Sequence, residues 1–270
     1  MAGAAVSSQG PRTLDAESIV RELASRQHAG EAAAIAFDGD GTLWSGDVGE
    51  DVFTFATERG LLRDASGAAL SELARAHGIE PAATPSRTAR ALFDAYLAGK
   101  FPESTVCEMM TWCYAGFELA ELDTLIAGAL EHSGFSTRLR RELAPILEFA
   151  RKSSLHAVVV SASPRPIVEI AASAWGFPAR DVAASTAQVA NGRVLPAMAG
   201  VLPYGAQKCP AARALFGTAR WLAAFGDNAF DVEMFAAAEI AVAVHPKPKL
   251  LARLAELPHV VLFDGKNPVV

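Results

Sequence analysis

Short, continuously apolar segments recur along the chain and end abruptly at polar residues or glycine. They occupy residues 32–37, 155–160, 221–225, 240–244 and 260–263. Strands buried on both faces of a parallel sheet carry such uninterrupted apolar runs, whereas half-exposed strands alternate. Helical patterns separate several of these segments, at residues 166–175, 209–216, 231–238 and 248–257. The alternation predicts an α/β fold built on a doubly wound parallel sheet.

Residues 46–136 interrupt this alternation. They carry helical patterns at residues 61–77, 86–98, 103–112 and 119–132 and no convincing strand. We therefore predict a helical domain of residues 47–136, inserted after the first strand into a core made of residues 32–46 and 137–270. Residues 1–31 are expected to form a tail and a helix, which the pattern places at residues 14–27. Asn191-Gly192 between short segments predicts a hairpin within residues 184–201.

Composition limits the classes of partner. The chain has 270 residues, of which 51% are hydrophobic, and a formal net charge of −6. The acidic balance argues against a broad surface for nucleic acid or for an anionic membrane, and no apolar run is long enough to span a bilayer. The three cysteines show no metal-binding spacing, and the first residues lack a signal-peptide pattern. We expect a cytoplasmic protein without nucleic-acid or membrane partners; the sequence does not indicate its oligomeric state.

Polar residues cluster where the predicted strands end. They are Asp38, Asp40 and Thr42 after the first strand, Ser161 after the second, Lys208 before a helix, and Asp227, Asn228 and Asp231 after the third. Ligands of open α/β sheets bind beyond the carboxyl ends of the strands, so we expect these side chains at one site. Several carboxylates beside an ammonium suit phosphoryl transfer, which needs a nucleophile, neutralisation of charge and a proton for the leaving group.

The residue types suggest individual roles. Asp38 could attack phosphorus, and Asp40 could protonate the leaving group and then deprotonate water. Ser161 and Lys208 would hold the transferring phosphoryl oxygens. Carboxylate oxygens suit Mg²⁺, and Asp227 would complete such a metal site. Asp231, four residues further on, would hold its neighbours or Lys208 in position without itself being a ligand.

The ordered motifs resemble those of the haloacid dehalogenase superfamily. Residues 37–43, Phe-Asp-Gly-Asp-Gly-Thr-Leu, are similar to its first motif in the two-aspartate phosphatase form. The second, third and fourth motifs of the superfamily are similar to residues 160–163, Lys208 and residues 226–231, respectively. The insertion is similar to the C1-type cap of the phosphoserine-phosphatase-like subgroup. This resemblance implies a Rossmann-like core and a Mg²⁺-dependent phosphatase. Dehalogenation is disfavoured, because the dehalogenating branch lacks the aspartate found here at position 40.

The resemblance also implies a set of ligand contacts. Mg²⁺ would be bound by the side chains of Asp38 and Asp227 and by the backbone carbonyl of Asp40. Asn228 and Asp231 would support this site. The phosphate would contact Gly39, Gly41, Thr42, Ser161, Ala162 and Lys208.

Four positions differ from the usual pattern of that subgroup. Ala162 and Ser163 stand where paired glycines are usual, and Phe230 stands where asparagine is usual. Asp47 occupies the position of a glutamate that meets the substrate amine, so an amine-bearing phosphomonoester such as phosphoserine is the expected substrate class. Trp44, directly after the first motif, is expected to contact the leaving group.

The sequence excludes one other interpretation and leaves others open. A calcium loop starting at Asp38 would need glycine at residue 43 and glutamate at residue 49, where the chain has leucine and glycine. A phosphotransferase acting on an alcohol acceptor and a non-catalytic protein that binds phosphorylated ligands remain alternatives. Arg87 and Arg90 could bind a substrate carboxylate or could equally be solvated. The large side chains of residues 109–117 could form an aromatic wall for an alkylammonium substrate such as phosphocholine, although packing inside the insertion is the simpler role for them.

Overall fold

A parallel sheet forms the centre of the computed structural model, which describes residues 11–28, 30–254, 257 and 259–265. The strands in these ranges are β1 (Arg12–Leu14), β2 (Ala33–Phe37), β3 (His156–Pro164), β4 (Val182–Ser185), β5 (Ala187–Ala190), β6 (Arg193–Met198), β7 (Arg220–Gly226), β8 (Ile240–Ala243) and β9 (Val260–Phe263). Seven of them pair in the order β1-β9-β8-β7-β2-β3-β4, all in parallel, while β5 and β6 form a separate antiparallel hairpin.

The helices alternate with the strands outside one long insertion. They are α1 (Ala16–Arg26), α2 (Val48–Glu58), α3 (Gly67–Ala76), α4 (Pro85–Leu97), α5 (Glu103–Trp112), α6 (Leu119–His132), α7 (Ala144–Lys152), α8 (Arg165–Ser173), α9 (Lys208–Phe216), α10 (Val232–Ala237) and α11 (Pro248–Leu251). Each of the five predicted apolar segments coincides with a strand of the sheet. The predicted α/β fold class is confirmed.

Strand β2 shows why the sheet must be covered on both faces. All five of its residues are buried. Ile35 and Phe37 pack into one apolar cluster, and Ala34 and Ala36 pack into a second cluster on the opposite face. The ring of Phe37 stacks on Phe225 of the neighbouring strand β7, with ring centroids 4.4 Å apart. Burial on two faces accounts for the uninterrupted apolar runs in the sequence.

The N-terminal segment joins the sheet. Helix α1 begins after Asp15, whose side chain accepts a hydrogen bond from the backbone N–H of Ser18 at 2.8 Å. Before it, β1 pairs with β9, with Arg12 opposite Val261 and Leu14 opposite Phe263. The sequence predicted the helix but not this edge strand. The first part of the expected tail, residues 1–10, lies outside the described residues.

Helices α2 to α6 occupy the insertion between β2 and β3, and the chain enters β3 through the short 3₁₀ helices Phe135–Thr137 and Arg141–Leu143 and helix α7. The predicted hairpin is present, with positive φ angles at Asn191 (51°) and Gly192 (74°). Its strand β6 contacts the insertion, because the backbone of Val194 bonds to Gly116 and Phe117 at 2.8 and 3.0 Å. In the described part of the chain, none of the helices is long and apolar enough to cross a membrane.

Candidate active site

A buried ammonium joins two carboxylates at the carboxyl end of β2. The Nζ of Lys208 lies 2.6 Å from Oδ1 of Asp38 and 2.5 Å from Oδ1 of Asp231. All three side chains are buried. Burial alone would lower the pKa of Lys208, but attraction to Asp231 and Asp38 raises it above the usual value, so the ammonium stays charged. Burial raises the pKa of Asp38, and Lys208 opposes this shift by stabilising the carboxylate.

Asp231 fixes the loop that follows β7. Its Oδ2 accepts hydrogen bonds from the backbone N–H groups of Asp227 and Asn228, at 3.1 and 3.0 Å. Gly226 must lack a side chain, because a Cβ there would lie 2.5 Å from the Asp231 carboxyl carbon. With Oδ1 bound to Lys208 and Oδ2 bound to two amides, Asp231 has the geometry of a support for its neighbours.

The carboxylate of Asp227 lies against the glycine turn after β2. A Cβ on Gly41, whose φ is +86°, would come within 1.9 Å of Asp227 Oδ2. The same oxygen is 2.9 Å from the Nζ of Lys247. Burial raises the pKa of Asp227 to about 6, even though Lys247 lowers it.

These carboxylates fit a divalent metal. One carboxylate oxygen from each of Asp38, Asp227 and Asp231 lies within 4.8 Å of the other two. Asp38 and Asp227 line the pocket above the site whereas Asp231 does not, so Asp38 and Asp227 are the carboxylates that could reach a bound metal. Hard oxygen donors of this kind match the preference of Mg²⁺.

Asp40 is held by four polar groups. Its Oδ1 accepts hydrogen bonds from the indole N–H of Trp44 and from the backbone N–H of Val48, both at 2.8 Å. Its Oδ2 lies 2.7 Å from the hydroxyl of Ser163 and 3.4 Å from that of Ser161. The sequence did not single out the contact with Ser163.

A pocket of about 740 Å³ opens over these residues. Asp38, Asp40, Gly41, Ser161, Ala162, Lys208, Asp227 and Asn228 line it, as the sequence predicted for one shared site. Thr42 lies beneath, where its hydroxyl donates to Asp38 Oδ2 at 3.1 Å. Gly39 packs against the indole of Trp44, because a Cβ there would approach that ring to 2.9 Å.

The insertion supplies an acidic and aromatic wall of the pocket. The wall includes Asp47, Glu50, Tyr96, Glu103 and Met110. Asp47 caps helix α2 through a 2.8 Å bond from the N–H of Glu50, and burial raises its pKa. Among the described residues, the carboxylates of Glu50 and Glu103 have no hydrogen-bond or ion-pair partner, and burial raises the pKa of both.

Several residues considered from the sequence lie away from this pocket. Trp44 is fully buried, so its ring has no surface to offer a leaving group, and its N–H binds Asp40 instead. Arg87 is exposed, and Arg90 pairs with Asp94 on its own helix. Of residues 109–117, Met110 reaches the pocket, whereas Trp112, Tyr114 and Phe117 are buried in the apolar core.

The structure also adds residues that the sequence analysis missed. Arg140 lines the pocket and donates from Nε to the carbonyl of Gly41 at 2.9 Å. Lys247 reaches Asp227 from the loop after β8, and its backbone N–H donates to the Asp227 carbonyl at 2.8 Å. An isolated arginine carries no sequence signal for such a contact. Lys247 stands in a Pro-Lys-Pro-Lys segment at residues 246–249, where nothing in the local sequence predicts a contact with Asp227.

Comparison with known proteins agrees with the fold and the motifs. Residues 35–236 match the haloacid dehalogenase-like hydrolase family, so the chain belongs to that family. The predicted family and the prediction of a hydrolase are therefore confirmed. No curated protein matches the chain.

Solved structures share the architecture at low sequence identity. A protein of unknown function from Bordetella pertussis Tohama I is similar at a TM-score of 0.68 and 18% identity, over 87% of this chain and 100% of that one. A probable phosphoserine phosphatase from Vibrio cholerae is similar at a TM-score of 0.57 and 14% identity, over 86% of this chain and 60% of that one. A cytosolic 5′-nucleotidase IIIB bound to cytidine is similar at a TM-score of 0.53 and 14% identity, over 97% of this chain and 91% of that one. At this low sequence identity, the similarities show a shared fold.

Proposed function

We propose that this protein hydrolyses a small phosphomonoester, with Asp38 as the nucleophile and Mg²⁺ as the cofactor. The observation that carries the proposal is the contact of Asp38 with Lys208 beside Asp227, at the floor of a pocket that Asp40 also faces. A nucleophile, a fixed positive charge, a metal-binding carboxylate and a second carboxyl for proton transfer are the parts that phosphoryl transfer needs. The structural neighbours that are named as a phosphoserine phosphatase and a nucleotidase support the same chemistry.

In the first step, a carboxylate oxygen of Asp38 forms a bond to phosphorus while the bond from phosphorus to the leaving oxygen breaks. Asp40 gives its proton to that oxygen, so an alcohol departs. Lys208 and Ser161 hold the equatorial phosphoryl oxygens. Asp38, Asp227 and the Asp40 carbonyl would hold Mg²⁺, which supplies positive charge to offset the approach of two anions.

In the second step, Asp40 accepts a proton from a water molecule, and the water oxygen bonds to phosphorus. The bond between phosphorus and Asp38 breaks, which releases inorganic phosphate and restores the carboxylate. Asp40 thus donates a proton in one step and accepts one in the next, as one group can when water replaces the alcohol.

The proposed substrate carries an amine on its alcohol portion. We infer that the insertion acts as a cap, since its residues Asp47, Glu50 and Glu103 line the same pocket as Asp38 and Lys208. Burial and the carboxylates of Asp40 and Asp51 raise the pKa of Glu50, although Lys247 opposes the shift, and among the described residues neither glutamate has a cation in direct contact. A substrate ammonium would supply that contact. An amine-bearing phosphate is therefore the better match to this wall.

The test is release of inorganic phosphate from a panel of phosphomonoesters with and without Mg²⁺. The panel contains p-nitrophenyl phosphate, phosphoserine, phosphoethanolamine, phosphocholine and sugar phosphates. Asp38→Asn should abolish turnover, whereas Asp64→Asn, an exposed carboxylate on the insertion, should not. Turnover that survives Asp38→Asn would contradict the proposed nucleophile.

The substrate class needs its own comparison. Phosphoethanolamine and propyl phosphate differ in the amine, and Glu103→Gln should reduce the preference for the former. Glu108→Gln is the matched control, since Glu108 lies on the same helix but is not among the residues that line the pocket. An unchanged preference in both Glu103→Gln and Asp47→Ala would remove the support for an amine.

A further inference from the structure

We infer that Ser163 positions the carboxyl group of Asp40 for proton transfer to the leaving oxygen. The inference rests on the proposed function, because it assigns a role within that reaction. Its basis is the 2.7 Å hydrogen bond that the Ser163 hydroxyl donates to Asp40 Oδ2.

The two oxygens of Asp40 have different surroundings. Oδ1 accepts from the Trp44 indole and from the Val48 amide, which fixes that side of the carboxyl group. Ser163 is the close partner of Oδ2, because the hydroxyl of Ser161 is 3.4 Å away. Two fixed N–H donors thus occupy Oδ1, and Oδ2 is the oxygen to which we assign the proton transfer.

The hydroxyl of Ser163 is itself held in place. Ser163 is only 6% exposed, and its backbone N–H donates to the Ser161 hydroxyl at 3.0 Å. Helix α2 leaves room for it at Gly49, where a Cβ would lie 2.9 Å from the Ser163 oxygen. Strand β3 and the start of the insertion thus hold Asp40 from opposite sides.

A serine hydroxyl suits both protonation states of Asp40. It donates to the carboxylate, and it can go on donating to the remaining lone pair of Oδ2 in the protonated acid, so the Oδ2–H group stays free to point at the leaving oxygen. In the first step the Oδ2–H bond breaks, the proton joins the departing alkoxide, and the electrons of the broken phosphorus–oxygen bond stay on that oxygen. Ser163 neither gains nor loses a proton, so it is a positioning residue.

The test compares substrates that do and do not need a proton on the leaving oxygen. An alkyl phosphate needs it, whereas p-nitrophenyl phosphate releases a stable phenolate. The kcat/KM value reports the steps up to alcohol release, so it isolates the first half of the reaction. Ser163→Ala should lower kcat/KM for the alkyl phosphate about tenfold more than for p-nitrophenyl phosphate.

Two further variants separate positioning from packing. Ser163→Thr keeps the hydroxyl, so its kcat/KM for the alkyl phosphate should lie within about threefold of the wild-type value. Ser163→Cys keeps the size of the side chain but donates only a weak hydrogen bond, so its kcat/KM should resemble that of Ser163→Ala. Ser173→Ala, on the exposed side of α8, is the control. An equal loss of kcat/KM for both substrates, or no loss for either, would overturn the role of Ser163. If turnover still depends on Asp38 in that case, the proposed function is unaffected. A wild-type chain without Asp38-dependent turnover would overturn both.

Discussion

Replacing Asp231 by asparagine changes one atom in a fully buried carboxylate that is hydrogen-bonded on both oxygens. Asp231 is fully buried, and its two oxygens accept from Lys208 on one side and from two backbone N–H groups on the other. An asparagine has one acceptor oxygen and one NH₂ group in nearly the same volume. The variant therefore tests hydrogen bonding and charge with little change in packing.

Neither orientation of the amide satisfies both sides. If the oxygen faces Lys208, the N–H groups of Asp227 and Asn228 lose their acceptor, and each buried unsatisfied donor costs about 1–3 kcal/mol. If the oxygen faces the backbone, the NH₂ group meets the ammonium of Lys208, and breaking a buried ion pair costs about 3–5 kcal/mol. The remaining contact with Asp38 offsets part of this loss. We therefore expect the free energy of unfolding to fall by about 3 kcal/mol.

The assay is equilibrium urea denaturation in the presence of a metal chelator, so that bound metal does not contribute. Asp94→Asn removes a carboxylate from the exposed pair with Arg90 and should cost no more than about 0.5 kcal/mol. Asp231→Asn should also reduce kcat, because Lys208 loses one of the two groups that hold it. A free-energy loss equal to that of the control would refute the reasoning.

Three further predictions concern the same site. The Mg²⁺ concentration that gives half-maximal turnover should decrease as the pH rises through about 6, because burial raises the pKa of Asp227 to about 6 and the metal needs the ionised carboxylate. Lys247 lowers the pKa of Asp227, so Lys247→Met should move this pH dependence to higher pH. Mg²⁺ titrations of the wild type and the variant on either side of pH 6 would measure both effects. Gly41→Ala should abolish turnover, because its Cβ would strike Asp227, whereas Gly60→Ala shares the positive φ without a clash and should keep wild-type kcat. Asp40→Asn should accumulate the phosphorylated enzyme from p-nitrophenyl phosphate in rapid-quench experiments, because it lacks the base for the second step; rapid dephosphorylation would contradict that role.

Local patterns were sufficient to predict most of the sheet. The buried strands β2, β3, β7, β8 and β9 each contain a run of apolar residues, so each could be recognised from its own residues. Strand β1 could not, because Arg12, Thr13 and Leu14 form no apolar run and are extended only through pairing with β9, almost 250 residues away in the chain. Helices α2 and α7 were also missed as separate elements, although α2 lies in the region predicted to be helical.

The site could be predicted where a residue follows a strand and belongs to an ordered motif. The structure brings Asp38, Lys208 and Asp227 together as expected, and their roles remain proposals. Ser163 was noted only as a departure from the usual paired glycines, and the structure shows that its hydroxyl contacts Asp40. Trp44 follows the motif closely in sequence, but its ring turns into the core. Which way a side chain points depends on packing between the insertion and the sheet, which no local pattern encodes.

The central claim is that Asp38 becomes phosphorylated. The most direct measurement is rapid acid quenching during turnover of a labelled phosphomonoester with Mg²⁺, followed by mapping of the labelled peptide. The account predicts one phosphoryl group on the peptide that contains Asp38, and none in the Asp38→Asn variant. Turnover without phosphorylation of Asp38, or a label at another residue, would contradict it.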